Sequence, residues 1–237
     1  MTRPTVSVII PVLDDHAALD RLASRLAIQT RQPEEVIVVT GSSSTQVAEV
    51  AAMYGFSIVR TAANRGLQLD SGARAATSDV LWFVHADSEP PATAVEHIVS
   101  AVSGGATSGC FRFRFQGART LLKFVIEKLV AARIQCGGIA YGDQALFCTR
   151  DAYHTIGGYP HEPLFEEVRF VRQMRKQFNF VSLDLPIVVS TRRWDRDGWI
   201  RRCCHNRWLA ICYGFGIPTR RLSAAYRSSA TQEEPRG

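Results

Sequence analysis

The most constraining feature of the sequence is a short apolar run that ends abruptly in polar residues. The five residues 80–84 (Val-Leu-Trp-Phe-Val) are all apolar, and His85 and Asp87 follow almost directly. Such a run is typical of a strand buried on both faces, as in the middle of a parallel sheet. Because ligands of open α/β sheets bind at the carboxyl ends of the strands, Asp87 is expected to face a cleft. Two interpretations stay open: Asp87 binds a metal ion and a diphosphate, or it caps the helix that follows.

Three further strands are predicted before this one, at residues 6–12, 35–40 and 57–60, and helical spacing of apolar residues separates them. This alternation predicts parallel βαβ units with right-handed crossovers, and therefore an α/β fold with a Rossmann-type, mostly parallel central sheet and flanking helices. No Gly-x-Gly-x-x-Gly motif follows the first strand and no Walker loop is present, which argues against the two commonest nucleotide-binding motifs.

Polar residues at the ends of the predicted strands are expected to meet along one edge of the sheet, because carboxyl ends of parallel strands lie side by side. They are Asp14, Asp15, Thr40, the turn 42–44, Arg65 and Asp87.

The charge of the chain predicts anionic partners. The net charge is +6, and 25 of the 28 basic residues are Arg, whose forked guanidinium suits phosphate and carboxylate groups. The six cysteines form no Cys-x-x-Cys pair, so a reduced, cytoplasmic protein is expected. No apolar run approaches the ~18 residues of a membrane span, and no span is predicted.

Several short motifs, in this order and spacing, resemble those of inverting family 2 glycosyltransferases with the GT-A fold. They are residues 6–11, 35–39, 65–68, His85-Ala86-Asp87, Gly142-Asp143-Gln144, residues 157–160 and Glu166-Glu167. Two of these motifs, His85-Ala86-Asp87 and Gly142-Asp143-Gln144, together with Arg192-Arg193-Trp194 resemble a bacterial subfamily, the radical-SAM/selenodomain-associated transferases. The resemblance implies one GT-A-like domain over residues 1–227, with a nucleotide-binding half (1–104) and an acceptor-binding half (105–227). The polar composition of residues 228–237 predicts a disordered tail.

The resemblance also implies an activity, the metal-assisted transfer of a sugar from a nucleotide-diphosphate sugar to an unknown acceptor. Glu167 would be the catalytic base with Glu166 supporting it, and Asp87 would bind Mg or Mn. The donor would contact Pro11, Asp14, Asp15, Thr40, Arg65, Gln68, His85, Asp87, Arg193 and Trp194, and the acceptor would contact Asp143 and Gln144. Thr40 and His85 stand where the family commonly has carboxylates. These substitutions keep open the alternative of a catalytically impaired protein that binds nucleotide sugars. A sugar nucleotidyltransferase is a second alternative, although residues 11–15 lack the Gly-rich loop with a basic residue that such an enzyme normally carries after its first strand.

Structural interpretations stand beside these functional ones. Two acidic residues in the first turn of a helix complement the helix dipole. An Asp after a Gly forms turns, which is the alternative for Asp143. Arg193 and Trp194 would either clamp the diphosphate or pack on each other at the surface.

Three segments of the second half are predicted to serve packing or surface contact. The alternation in residues 111–115 (Phe-Arg-Phe-Arg-Phe) favours a half-buried strand over a nucleic-acid site, and nucleic acid is not expected as a partner. Apolar residues at helical spacing over 121–130 predict a packing surface, and contact with a membrane is the less favoured alternative. Residues 198–215 form a cationic, aromatic amphipathic pattern, which predicts contact with an anionic membrane, a homodimer face or internal packing.

Overall fold

The computed structural model describes residues 3–223. The predicted tail at 228–237 lies outside this range. Eight strands form one sheet in the order β3-β2-β1-β4-β7-β6-β8-β5, so strands from both predicted halves share a single sheet. The strands are β1 (Val6–Val12), β2 (Glu35–Thr40), β3 (Ser57–Arg60), β4 (Val80–Phe83), β5 (Ser88–Glu89), β6 (Ser108–Phe115), β7 (Phe147–Thr149) and β8 (Phe180–Val189).

The first four strands confirm the predicted parallel arrangement. β1 lies between β2 and β4, β3 pairs with β2, and all three pairings are parallel. All seven residues of β1 and all four of β4 are buried, as continuous apolar runs require in a sheet covered on both faces. The helices that connect these strands are α1 (His16–Ala27), α2 (Thr45–Met53) and α3 (Arg65–Ala75).

Helices cover both faces of the sheet and so create two apolar cores. Side chains of α1, α2 and α4 (Ala94–Ser103) pack on one face, where Trp82 and Phe111 are fully buried. Side chains of α3, α6 (Arg150–Thr155) and α7 (Glu166–Gln177) pack on the other face around Phe83, Tyr153 and Phe170. The same alternation of side chains along β1 that supplies both cores fixes its register, because a one-residue slip would exchange the faces.

The second half continues the sheet with mixed pairing. β7 is antiparallel to both β4 and β6, β8 is parallel to β6, and β5 closes the edge antiparallel to β8. In β6 the aromatic residues Phe111, Phe113 and Phe115 are buried while Arg112 is exposed, which confirms the predicted half-buried strand. The remaining helices are α5 (Leu121–Gln135), α8 (Arg192–Asp197) and α9 (Trp199–Gly214).

Helix α5 corrects one prediction. Its inner residues Ile126 and Val130 do pack on Phe113 and Phe115. The outer half of the predicted stripe, however, is exposed, at Leu121, Leu122, Val125 and Leu129. The periodicity located the helix correctly, but a helix that is apolar on nearly all sides offers more apolar surface than one sheet face can cover.

No helix within residues 3–223 combines the length and the hydropathy that crossing a membrane requires.

A buried amide from α3 ties the ends of two strands together. The Nε2 group of Gln68 donates hydrogen bonds to the carbonyl oxygens of Val12 (2.9 Å) and Val39 (3.0 Å), at the carboxyl ends of β1 and β2. Replacing Gln68 by Leu would leave both carbonyls without this donor in a buried place, so we expect the free energy of unfolding to fall by about 1–3 kcal/mol.

Gln32 provides a matched control for this variant. Its Nε2 group also donates to two carbonyl oxygens, those of Ala27 and Gln29, but Gln32 is exposed and water can replace it. Urea denaturation of Gln32→Leu should therefore show a loss of no more than about 0.5 kcal/mol. Equal losses for the two variants would contradict a bridging role for Gln68.

Candidate active site

Two adjacent carboxylates at the start of α7 form the centre of the candidate site. The side chain of Glu166 is fully buried and Glu167 is only 3% exposed. Phe165, which precedes them, adopts a left-handed backbone (φ 62°) that starts the helix abruptly. Buried carboxylates need partners because their desolvation costs several kcal/mol.

Arg65, the first residue of α3, is the partner of both carboxylates. Its Nε donates to Oε1 of Glu166, and its Nη2 lies 3.2 Å from Oε1 of Glu167. The side chain of Asn64 accepts a hydrogen bond from the N–H of Leu67, which caps α3 and places Arg65 at the helix start. The start of α3 can lie this close to Pro160 only because residue 66 is glycine: a Cβ there would lie 2.2 Å from the carbonyl oxygen of Pro160. A pairing across 101 residues of sequence thus holds the acidic pair at the strand ends.

Glu167 is adapted to accept a proton near neutral pH. Burial, together with the negative charge of Glu166, raises the pKa of Glu167 to about 7. Arg65 and the N–H of Gly142, which donates to Oε1 of Glu167 at 3.1 Å, oppose this rise in pKa. Both contacts go to Oε1, so a proton can be accepted on Oε2. A carboxylate with a pKa near the working pH is a suitable general base.

Gly142 joins the acidic pair to the loop that follows β4. A Cβ at this position would lie 2.6 Å from Nε2 of His85 and 2.7 Å from Oε1 of Glu167. Only glycine therefore fits between the imidazole and the carboxylate. The 3₁₀ turn Gly142–Gln144 thereby brings His85 and Glu167 together.

His85 is neutral in this setting. Burial and the nearby guanidinium of Arg65 lower the pKa of His85 to about 4, although the carboxylate of Asp87 opposes the shift. Asp143 shifts the other way: burial raises its pKa to about 6, with the charge of Asp87 adding to the rise, while Arg133 and Arg65 lower it. Asp87 therefore lies close enough to both His85 and Asp143 to influence them electrostatically.

Asp87 lies where a strand-end carboxylate was predicted, in the loop after β4. It is followed by β5, and α4 begins only at Ala94 with Thr93 as its cap residue. The alternative that Asp87 caps the following helix is therefore wrong. Within residues 3–223 its carboxylate makes no hydrogen bond or ion pair, and the side chain is partly exposed.

Three predicted site residues use their side chains to support the backbone. Gln68 bridges β1 and β2, as described above. Thr40, 2% exposed, donates its hydroxyl to the carbonyl of Leu13 (3.2 Å) and accepts from the N–H of Ser42 (3.1 Å). Gln144 is buried, donates to the carbonyl of Phe111 (3.3 Å) and accepts from Arg133. These three side chains therefore stabilise the backbone around the site.

The remaining residues predicted to contact the sugar donor differ in exposure. Asp15 caps α1 by accepting from the N–H of Ala18, and its carboxylate pairs with Arg192 at 3.2 Å. Although burial works against it, these hydrogen bonds lower the pKa of Asp15. Asp14 is exposed and Pro11 is buried within β1.

The residues of α8 that were predicted to clamp the diphosphate differ in their surroundings. Arg193 is exposed, and its charge helps to lower the pKa of His85. The Trp194 ring packs against Phe115 and Trp199, with ring centroids 5.0 and 5.3 Å apart. Helix α8 thus reaches the site through Arg193 and is fixed to the sheet through Trp194.

Residues 7–128, just over half of the chain, match glycosyl transferase family 2. The chain belongs to this family.

Solved structures agree with the family assignment at the level of the fold. S. aureus TarS has a TM-score of 0.62 at 13% identity, over 78% of this chain and 36% of that chain. TarS 1–349 has a TM-score of 0.63 at 13% identity, over 79% of this chain and 60% of that chain. Glucosyl-3-phosphoglycerate synthase from Mycobacterium tuberculosis, in complex with phosphoglyceric acid, has a TM-score of 0.63 at 17% identity, over 91% of this chain and 81% of that chain. The predicted GT-A fold is confirmed, and this family 2 chain spans only about a third of the length of TarS. No curated protein sequence matches the chain.

The oxygen ligand that the candidate site offers suits a hard divalent cation such as Mg²⁺. Within residues 3–223 no three His, Cys, Asp or Glu side chains cluster tightly enough to form a metal site by themselves. Mg²⁺, however, is commonly held by one or two carboxylates and completed by substrate phosphates and water. Asp87, with a carboxylate that no other described residue engages, fits such a shared site.

Two residues of the site escaped the sequence predictions. Gly142 was part of a recognised motif, but the sequence did not show why this position must be glycine. The reason is that His85 and Glu167 lie on either side of it. Arg133 belongs to the last turn of α5, where its guanidinium lies over the Tyr141 ring at 4.8 Å and near Asp143. No spacing or composition signal marked Arg133, because it contacts the site only through the fold.

Proposed function

We propose that the protein transfers a sugar from a nucleotide-diphosphate sugar to an acceptor hydroxyl with inversion at the anomeric carbon, assisted by Mg or Mn. The observation that carries this proposal is the buried carboxylate pair held by Arg65, in which Glu167 has a pKa near 7, beside the strand-end loop of Asp87. The three-residue motifs at 85–87, 142–144 and 192–194 support placement in the radical-SAM/selenodomain-associated subfamily.

Glu167 acts as the base in this mechanism. It takes the proton of the acceptor hydroxyl while that oxygen attacks the anomeric carbon from the face opposite the diphosphate. The bond from the anomeric carbon to the diphosphate oxygen breaks, and the nucleoside diphosphate leaves with the electron pair. Arg65 keeps Glu167 oriented, and the charge of Glu166 keeps its proton affinity high enough for the task.

The other residues bind and orient the donor. A divalent cation held by Asp87 would supply positive charge to the departing diphosphate. The guanidinium of Arg193, on α8, would bind diphosphate oxygens, a role that its fixed fork of donors suits. His85, being neutral, can donate or accept one hydrogen bond without repelling the cation. Asp143 would bind an acceptor or sugar hydroxyl.

Thermal stabilisation by sugar nucleotides tests the proposal directly. A donor at about 100 times its dissociation constant should add about 2.7 kcal/mol to the free energy of unfolding. The stabilisation should depend on Mn or Mg, and nucleoside diphosphate should be released when an acceptor is added. Stabilisation without any turnover would support the binding-only alternative. Formation of a sugar nucleotide from sugar phosphate and nucleoside triphosphate would support the nucleotidyltransferase.

Helix α9 supports a peripheral contact with anionic membrane as part of the same proposal. Ile200, Trp208 and Ile211 are exposed on α9, which also carries three arginines, and Phe215 is exposed directly after it. Binding to acidic lipid vesicles and sedimentation of the free protein distinguish this contact from a homodimer face.

A further inference from the structure

The outward face of α5 is an apolar surface that no described residue covers. We define it as Leu121, Leu122, Phe124, Val125 and Leu129, all of which are exposed; Leu121 is 79% and Leu129 58% exposed. The opposite side of the helix packs on β6 through Ile126 and Val130. A contiguous exposed apolar surface of this kind typically marks a site that contacts another protein or a membrane.

Charged residues around this face are basic. Arg119 and Lys128 are exposed at its border, and the Lys128 ammonium lies 5.5 Å from the centroid of the Phe124 ring. The one acidic residue of α5, Glu127, accepts a hydrogen bond from the N–H of Phe115 and pairs with Arg119 at 3.6 Å, so its charge is already engaged while Arg119 and Lys128 stay exposed to solvent. The face therefore presents apolar side chains with a positive rim, which complements an anionic lipid surface.

Other occupants fit this face less well. A second copy of the chain would add the same basic residues, Arg119 and Lys128, and the one acidic residue of its α5, Glu127, is already paired with Arg119, so charge complementarity does not favour a homodimer at this face. Residues 224–237 contain no Leu, Ile, Val, Met or Phe, so that segment lacks the large aliphatic side chains needed to cover the face.

We propose that the outward face of α5 docks in the headgroup region of an anionic bilayer, with the helix parallel to the membrane plane. The leucines enter the acyl boundary while Arg119 and Lys128 contact lipid phosphates. Lys123 fixes the geometry from the protein side, because its Nζ donates to the carbonyls of Gln116 and Ala118 and lies over the Trp199 ring of α9. The docking is independent of sugar transfer and uses a different helix from the α9 contact proposed above.

Co-sedimentation with vesicles of phosphatidylcholine alone, or mixed with phosphatidylglycerol, tests this docking. The full chain is expected to bind the anionic vesicles, and binding should weaken with added salt. Leu121→Gln with Leu129→Gln should reduce the partition coefficient by about 10- to 100-fold, since two exposed apolar side chains no longer enter the lipid. Lys128→Glu should reduce it by about 10-fold.

The matched control is the double change Ile28→Gln with Met53→Gln. These residues are 58% and 75% exposed, close to the values of the two leucines, but they lie at the ends of α1 and α2. The control should bind vesicles like the unchanged chain. Donor-induced thermal stabilisation should be the same in all of these variants, which separates a failure of docking from a failure of the proposed transfer.

Three results would overturn the proposal. The first is a chain that stays in the supernatant at every lipid composition. The second is an α5 double variant that binds as tightly as the unchanged chain while Ile200→Gln with Ile211→Gln abolishes binding, which would assign docking to α9 alone. The third is a dimer in sedimentation velocity that the α5 double variant converts to a monomer, which would assign the face to a second copy.

Discussion

Glu167→Gln is expected to slow sugar transfer by about 10²- to 10⁴-fold while the dissociation constant of the donor stays nearly unchanged. Glutamine keeps the shape of the side chain and its contacts with Gly142 and Arg65, but it cannot accept the proton of the acceptor hydroxyl. The measurement is donor binding by calorimetry alongside release of nucleoside diphosphate, on the same preparation.

The pH dependence of the unchanged enzyme should follow the protonation of Glu167. The pKa of Glu167 is raised to about 7, and the protonated acid is inactive as a base, so the rate should fall as pH decreases below about 7. Glu166→Gln removes the neighbouring negative charge that helps to raise this pKa. The acidic limb should therefore move to lower pH in that variant.

Asp143→Asn is the comparison that guards against a wrong assignment, because burial raises the pKa of Asp143 to about 6 and it too could accept a proton near neutral pH. We expect Asp143→Asn mainly to weaken binding of the acceptor, which would be measured as a higher KM for the acceptor. If Glu167→Gln turned over normally while Asp143→Asn or Glu166→Gln was inactive, the base would be the other carboxylate.

The second large effect is expected from Asp87→Asn, which should abolish the dependence of donor binding on Mn or Mg. An amide offers the cation no negative charge. Asp87 is also the one described carboxylate of the loop after β4, so no neighbouring acid of this loop can replace it. The stabilisation of about 2.7 kcal/mol at 100 times the dissociation constant should shrink to its metal-free value. Thermal unfolding with donor, with and without Mn, measures this directly.

Glu89→Gln, in the strand β5 that follows this loop, is the matched control. Glu89 lies two residues away but its carboxylate accepts hydrogen bonds from Gln116 and Arg25. Its replacement should leave the Mn dependence in place. An Asp87→Asn protein whose donor affinity still rose with Mn would show that the cation is held elsewhere.

The parts of the fold that follow from local pattern could be predicted from the sequence. The buried runs 6–12, 35–40 and 80–84 gave the strands of the parallel core, and their carboxyl ends gave the position of Asp87. These predictions succeed because a fully buried strand must be continuously apolar and must end where polar residues begin. The alternation in 111–115 similarly fixed which side chains of β6 face the core.

The organisation of the site could be predicted only in part. The pairing of Arg65 with Glu166 and Glu167 joins residues about a hundred positions apart, and nothing local in either segment reveals it. The amides of Gln68 and Gln144 could have faced a ligand or a carbonyl oxygen with equal chemical sense, and the structure turns both toward the backbone. Periodicity located α5 without showing that its outer side has no cover, because the period of a pattern does not say which neighbours are available.

The insertion of β7 between β4 and β6 limits how the molecule can move. β7 is hydrogen-bonded antiparallel to both neighbours, so strands from the first and second halves form one continuous sheet. Rotation of one half against the other would break this ladder, whose opening should be among the slowest exchange events in the chain. The site therefore has no hinge between halves. We therefore expect any motion that admits or releases a ligand to occur in the short segments at the strand ends that carry Asp87, Gly142 and Phe165.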